Sequence, residues 1–282
     1  MQRAILFGAG GGGKRLYDIV CKSYDIIAIT DNDRRKWGEK FHNLIVDEPE
    51  YCLKNKNYDV VIVSSEPGMG SIVKQLCGYG IDEYRIITSY VNQSLESRRI
   101  FLKSAAMLMK NKNDSSAVGE AGVFQGDFAK YINKYFKDKT LYLFDTFEGF
   151  AEKDIELEEG NNFSSAEISD YDNATEEMVL AKMEYPGQCI IKKGYFPETA
   201  IGIDETFCFV NLDMDLYQPT LEGLKWFSKR MVKGGIILVH DYFTDNFRGV
   251  RAAVDEFLGG AQYENLMLLP IGDGVSVAIC GF

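Results

Sequence analysis

The side chains with the most chemical promise in this sequence stand at the ends of apolar runs. Asn211-Leu212-Asp213-Met214-Asp215-Leu216-Tyr217 closes one run and Val239-His240-Asp241-Tyr242 closes the next. An amphipathic stretch and a Lys233-Gly234-Gly235 turn separate them. If the runs are adjacent parallel strands, Asp213 and Asp241 meet at one sheet edge. Carboxylates brought together repel unless a cation neutralises them, and oxygen-rich sets suit Mg2+ or Mn2+. His240 is then a third ligand or a base. Taken singly, Asp213 or Asp215 equally suits helix N-capping; the two strand ends together favour a metal. His42, in a polar loop, reads as structural.

Two further clusters suit a cofactor. Glu120-Ala121-Gly122-Val123-Phe124-Gln125-Gly126-Asp127 offers a glycine turn against which a ligand can lie, with Glu120 placed to take an ammonium group. Leu141-Tyr142-Leu143-Phe144-Asp145-Thr146-Phe147-Glu148-Gly149-Phe150 ends a strand on Asp145, a position suited to ribose hydroxyls. Each alone also reads as a tight turn and a helix cap. Near the N-terminus, Gly8-Ala9-Gly10-Gly11-Gly12-Gly13 satisfies GxGxxG through Gly8, Gly10 and Gly13, and Asp31 ends the following strand. Glycines admit a phosphate to the backbone, a helix N-terminus attracts it, and the acid takes ribose hydroxyls. So glycine-rich a stretch satisfies the pattern easily. Both a bound nucleotide or nucleotide-sugar and a docking or assembly role therefore stay open.

The elements that must position these residues alternate along the chain. Strands are expected at Ala4–Phe7, Asp25–Thr30, Asp59–Ser64 and Arg85–Thr88, with helices at Lys14–Ser23, Pro49–Lys56 and Gly70–Gly78. Such a βαβ series implies a parallel sheet covered on both faces. Leu95, Ile100, Phe101, Ala105, Leu108 and Met109 then recur at helical spacing, giving a connecting helix ended by the polar run Asn111–Ser116. A second series has strands at Ala117–Val123, Thr140–Phe144, Gln188–Lys192, Phe207–Leu212 and Gly235–His240, with helices at Asp127–Phe136, Thr220–Met231 and Val250–Leu258. It closes with Asn265–Pro270, a Gly272-Asp273-Gly274 turn and Val275–Cys280, a hairpin signal. The expected fold is α/β, with two Rossmann-like doubly wound domains. These are residues 1–89 and 117–282, joined by the connecting helix in 90–116, and the second sheet ends in an antiparallel hairpin.

Charge narrows the function. The chain of 282 residues has 42 acidic and 31 basic residues, net −11, against the basic face that nucleic acid requires. Thirteen acidic and two basic residues (Lys153, Lys182) fall between Asp145 and Glu184, so that one segment holds the whole imbalance. It reads as a solvated insert or as a lid over the acceptor site. A basic leader followed by a long apolar stretch is missing, apolar runs fall short of a membrane span, and the six cysteines are scattered. A cytoplasmic, non-membrane protein is expected.

Residues 117–282 resemble the macrocin O-methyltransferase (TylF-type) family, which has a class I methyltransferase sheet. The matching motifs are Glu120-x-Gly122-Val123-x-x-Gly126, Phe144-Asp145-Thr146-Phe147-x-Gly149-Phe150, Leu212-Asp213-x-Asp215-x-Tyr217, and Gly234-Gly235 with Asp241-Tyr242. The resemblance implies an S-adenosylmethionine-dependent and metal-dependent enzyme that methylates a sugar hydroxyl. Glu120, Gly122, Val123 and Gly126 would cradle the cofactor with Asp145, Thr146 and Phe147. Asp213, His240 and Asp241 would form the catalytic metal site for Mg2+ or Mn2+. His240-Asp241 departs from the family's usual pair of aspartates. Residues 146–206 contain no histidine, which leaves the base open between His240, Asp213 or Asp215 and a metal-lowered hydroxyl pKa that needs little base help. The acceptor is a small-molecule sugar or nucleotide-sugar, and a homo-oligomer is expected. Gly8–Lys14 with Asp31-Asn32-Asp33 resembles small Rossmann-like domains of sugar-modifying enzymes. The alternatives are an NAD-dependent sugar-nucleotide oxidoreductase or epimerase, for which Tyr135–Lys139 supplies a formal Tyr-x-x-x-Lys, and a non-enzymatic nucleotide-binding assembly protein.

Overall fold

A computed structural model of the chain describes residues 1–65, 68–110 and 115–282. The chain divides into two compact units, Met1–Glu96 and Ser97–Phe282. In the first, strands β1 (Gln2–Phe7), β2 (Tyr24–Thr30), β3 (Lys40–Phe41), β4 (Leu44–Asp47), β5 (Val60–Val63) and β6 (Ile86–Ile87) form one sheet in the order β3-β4-β2-β1-β5-β6. Helices α1 (Gly11–Val20), α2 (Pro49–Asn55) and α3 (Met69–Gly78) accompany them. The central pairings are parallel, and β3 runs antiparallel to β4. β5 is buried at all four positions, which is why it reads as an unbroken apolar run. β3 and β4 lie where the sequence suggested a loop. They are two and four residues long and bury one residue each, too little for a periodic signal.

Helix α4 (Ser89–Met109) carries the chain past Glu96. Its buried side differs from the expected one: Ile100 and Leu108 are exposed at 54% and 75%, while Arg98, Leu102, Ala105, Ala106 and Met109 are buried. Spacings of three and four fit either stripe, and only packing decides between them. Most of the polar run after this helix lies outside the described residues.

The second unit has β7 (Ala117–Ala121), α5 (Ala129–Tyr135), β8 (Leu141–Asp145), α6 (Glu152–Asn161), α7 (Glu176–Ala181), β9 (Cys189–Lys193), β10 (Phe207–Leu212), α8 (Tyr217–Ser228), β11 (Met231–Val239), α9 (Arg248–Leu258), β12 (Met267–Pro270) and β13 (Val277–Cys280). The sheet order is β12-β13-β11-β10-β7-β8-β9. β13 is antiparallel to both neighbours, and the pairings from β11 to β9 are parallel. This is the expected α/β sheet with its closing hairpin. Leu102, Ala129, Ile132 and Val179 share one core cluster, and Leu221, Leu224, Phe227, Ala253 and Phe257 share another. Connections after β7 and β10 thus leave for different clusters, which opens a crevice at the carboxyl ends of those strands.

The acidic segment between β8 and β9 is folded into α6 and α7, neither of which has an apolar stripe strong enough to announce itself. Two of its acids are buried. Glu158 accepts a hydrogen bond from the backbone N–H of Tyr217 at 2.7 Å, on the first turn of α8. Asp154 accepts one from Tyr195 Oη at 3.1 Å. Burial pushes both carboxyls above their ordinary range, despite those hydrogen bonds. On α7, Thr175 caps the helix by accepting from Met178 N–H at 3.2 Å, and Val179 is fully buried.

A raised carboxyl pKa means tighter proton binding when folded. The associated stability is full below the unfolded-state pKa and is lost as pH rises through the folded-state value. Glu158→Gln removes that dependence. Between about pH 5 and about pH 8 the wild type should therefore lose more melting temperature than the variant. A gap that stays constant with pH contradicts this.

Candidate active site

Strand register assembles the site. Val239, Leu212, Ala121 and Phe144 stand side by side on β11, β10, β7 and β8. The next residues are His240, Asp213, Gly122 and Asp145, and the hydrogen-bond ladder follows them one step further. His240 N–H donates to Leu212 O at 2.9 Å, Asp213 N–H to Ala121 O at 2.8 Å, and Gly122 N–H to Phe144 O at 2.9 Å. Four of the residues singled out from the sequence thus form one row along the crevice.

Asp213, His240 and Asp241 each offer a ligand atom within 4.8 Å of the others. Asp241 and Asp215 take φ of 58° and 60°, a left-handed conformation that aspartate tolerates better than most residues. Asp215 lies against Asp241. Burial, with the charges of Asp241 and Asp213, pushes its carboxyl well above the usual range. Burial also works against ionised Asp213, but His240, the Arg98 guanidinium and Asn211 hold its pKa below the ordinary value. Arg98 Nη2 lies 2.8 Å from Asp213 Oδ2 and donates to Asn211 Oδ1 at 3.0 Å. Its guanidinium sits 4.0 Å from the centroid of the Phe128 ring. Asn211 in turn donates to Glu120 Oε1 at 2.8 Å. Glu120 is 1% exposed, and its Oε2 has no hydrogen-bond partner among the described residues. Burial, followed by the charge of Asp213, pushes this carboxyl well above its usual range.

The cofactor-binding candidates divide by what they do. Asp145 Oδ2 accepts from the N–H groups of Val123 and Phe124 at 2.7 Å each, and Oδ1 from Phe147 N–H at 2.7 Å. It thereby fixes the turn after β7. Thr146 Oγ1 donates to Gly149 O at 2.7 Å. Val123 and Phe147 are buried in the core, so they offer the site backbone rather than side chain. Gly122, at φ +83°, has no room for a Cβ, which would collide with the carbonyl oxygen of Asp213. Gly126 lies under α7, where a Cβ would meet Val179 Cγ1 at 3.1 Å.

Elsewhere the glycines are committed to packing. Side chains at Gly8, Gly12 or Gly13 would collide with Ser64 or with the Gly8 carbonyl, and Gly10 is the N-cap of α1. Asp31 accepts from Ala9 N–H at 2.8 Å, Asp33 N–H at 2.9 Å and Lys36 Nζ at 3.1 Å. His42 stacks on Tyr17 at 4.1 Å. Lys139 of the Tyr-x-x-x-Lys match donates to Ser116 O at 2.9 Å, at the end of β7 remote from the crevice.

Sequence reasoning did not find Arg98, Asn211 or Tyr171. Arg98 had a signal: it falls on the stripe Leu95, Arg98, Leu102, Ala105, Met109, a charged residue at an apolar position. Tyr171 comes from the acidic segment. Its ring meets Phe124 edge-on at 5.1 Å and Phe150 at 5.5 Å. Asp215 first, then its own burial and Asp241, push its phenol far above the ordinary tyrosine value. Nothing in the sequence near Tyr171 announces this.

Comparison with known proteins bears on the same residues. The family model for macrocin-O-methyltransferase (TylF) matches residues 99–267, and a model described as C2185-like, N-terminal, matches residues 1–87. No curated protein matches the sequence. Among solved structures, the O-methyltransferase NovP is similar with a TM-score of 0.51 and 20% identity, over 64% of this chain and 78% of its own. CalS11, a calicheamicin methyltransferase, is similar with a TM-score of 0.51 and 17% identity, over 86% of this chain and 97% of its own. At such identities these two likenesses show a shared fold. The family match covers more than half of the chain, including every residue of the carboxylate cluster: the chain belongs to the macrocin-O-methyltransferase (TylF) family and is an S-adenosylmethionine-dependent O-methyltransferase.

Proposed function

We propose that the second unit methylates a sugar hydroxyl, on a nucleotide-linked sugar, a glycan precursor or a glycosylated metabolite, with Asp213, His240 and Asp241 holding Mg2+ or Mn2+. The observation carrying this reading is the grouping of those three donors within 4.8 Å of one another. The residues fit both groups. A buried carboxylate oxygen without a hydrogen-bond partner among the described residues, Glu120 Oε2, suits the cofactor's ammonium. Two carboxylates and an imidazole suit a hard divalent cation, the imidazole widening the choice toward Mn2+.

When bound, the cofactor supplies an electrophilic methyl on its sulfonium and the cation supplies Lewis acidity toward acceptor oxygens. The chain's own residues do the rest. Glu120, oriented by Asn211, anchors the amino-acid end of the cofactor. Asp145 locks the turn at Val123 and Phe124 and keeps lone pairs for ribose hydroxyls. Asp213 and Asp241 orient the acceptor, which turns an encounter into an aligned transfer. Asp215 stands outside the donor trio, and its ionised carboxylate, made more basic by burial beside Asp241, would take the proton that the acceptor hydroxyl gives up. Phe124, Phe150 and Tyr171 wall this part of the crevice.

In the first unit the glycines and Asp31 are engaged in packing and turn formation, which supports a docking or assembly role over a second catalytic one. Exposed Ile100, Met107 and Leu108 on α4 support self-association. The six cysteines are all free, in keeping with a reducing cytoplasm, and none of the described helices is long and apolar enough to cross a membrane.

Calorimetric titration tests the cofactor assignment. Glu120→Gln should weaken S-adenosylhomocysteine binding by roughly ten- to a hundred-fold. It should leave methylthioadenosine, which lacks the ammonium, unaffected; equal weakening of both would remove Glu120 from that role. For the metal site, Asp241→Asn and Asp213→Asn should each lower methyl transfer by about 10²-fold or more. S-adenosylhomocysteine affinity should change little in Asp241→Asn. Transfer near the wild-type rate in both variants would end the metal proposal.

A further inference from the structure

His240 is the departure from the family's paired aspartates, and its ring is held by partners at the turn before β13. The turn before β13 carries Gly272 and Gly274 at φ +86° and +76°, with Asp273 between them. Asp273 Oδ1 accepts from the backbone N–H of Val275 at 2.9 Å and of Ser276 at 2.7 Å. Its Oδ2 accepts from Ser276 Oγ at 2.7 Å. Ser276 Oγ lies 2.9 Å from His240 Nδ1. Both are buried, Asp273 at 7% and Ser276 at 1% exposure. β13 pairs directly with β11, which His240 follows, so the contact is built into the sheet.

Counting protons gives this contact a direction. A serine hydroxyl has one proton, and here it points at a carboxylate oxygen. The oxygen of Ser276 can then only accept from His240, so the ring must carry hydrogen on Nδ1. In the neutral imidazole that leaves Nε2 with its lone pair. We propose that Asp273 and Ser276 are positioning residues that fix His240 as the Nδ1–H tautomer and present Nε2 as a neutral third ligand for a divalent cation beside Asp213 and Asp241. The cation half rests on the functional reading given above; the tautomer half stands without it. A neutral ligand in place of a third carboxylate also lessens the repulsion within the cluster. Partners behind a ligating histidine commonly change metal affinity by about 10–100-fold when lost.

The chain has two histidines, which makes the test direct. His42 takes φ +51°, a conformation asparagine accepts, so His42→Asn in the full-length protein leaves His240 as the sole imidazole. Long-range ¹H–¹⁵N correlation at about pH 8, where a free imidazole is neutral, should show a protonated Nδ1 and an unprotonated Nε2. Ser276→Thr should keep that pattern. Ser276→Ala should shift the population toward Nε2–H and weaken Mn2+ binding about tenfold or more. Nε2–H in the parent protein overturns the relay even if Ser276→Ala does not fold, and so does an unchanged tautomer in a folded Ser276→Ala. Adding Mn2+ then separates the two readings. If the Nδ1–H tautomer is present but the His240 signals stay sharp in Mn2+, the cation site is wrong and the relay stands. If they broaden while the tautomer is Nε2–H, the site stands and the relay falls.

Discussion

The structure turns on the repulsion among carboxylates gathered at the ends of β7, β8, β10 and β11. Two unit charges about 4 Å apart, at an effective dielectric of ~20, repel by about 4 kcal/mol. Glu120, Asp145, Asp213, Asp215 and Asp241 meet that cost in different ways. Arg98 pairs with Asp213 and, through Asn211, reaches Glu120. Burial beside Asp241 and Asp213 pushes the Asp215 carboxyl well above its usual range. Asp145 spreads its charge over three backbone N–H groups. His240 brings a ring nitrogen where another carboxylate would add charge. Such a cluster is costly to fold, a cost that bound positive charge would lower.

The acidic segment contributes to the same economy of charge. Glu158 is fixed to the start of α8, the helix that follows Asp213 and Asp215, and α7 seats Val179 over Gly126. Tyr171 meets Phe124, whose N–H is bound to Asp145. One inserted segment therefore buttresses both the turn after β7 and the carboxylate cluster. The reading of it as a solvated insert misses this because burial of Asp154 and Glu158 depends on partners far away in sequence, Tyr195 and Tyr217.

What was legible in the sequence, and what was not, follows from range. β10 is buried at all six positions and is followed at once by Asp213, so the change from apolar to acidic marks the sheet edge. Gly122, Asp145 and Asp241 are legible for the same reason, each lying at or just past a strand end. Register is a property of pairs, so neither the link from Arg98 to Asp213, 115 residues apart, nor that from Ser276 to His240, 36 apart, is written in any local pattern. The stripe on α4 shows the limit most plainly, since Ile100 and Leu108 satisfy helical spacing and still face solvent. Chemistry announced at strand ends was recoverable, whereas the groups that tune it came from distant elements.

What most needs measuring is whether this carboxylate cluster, once it holds a divalent cation, directs methyl transfer to a sugar oxygen. Mass spectrometry of products from S-adenosylmethionine and a panel of nucleotide-linked sugars, run with chelator and then with Mg2+ or Mn2+ restored, measures it most directly. The expected result is one added methyl on a sugar hydroxyl, lost with chelator and recovered with either ion. Methylated product of undiminished yield in chelator would contradict it.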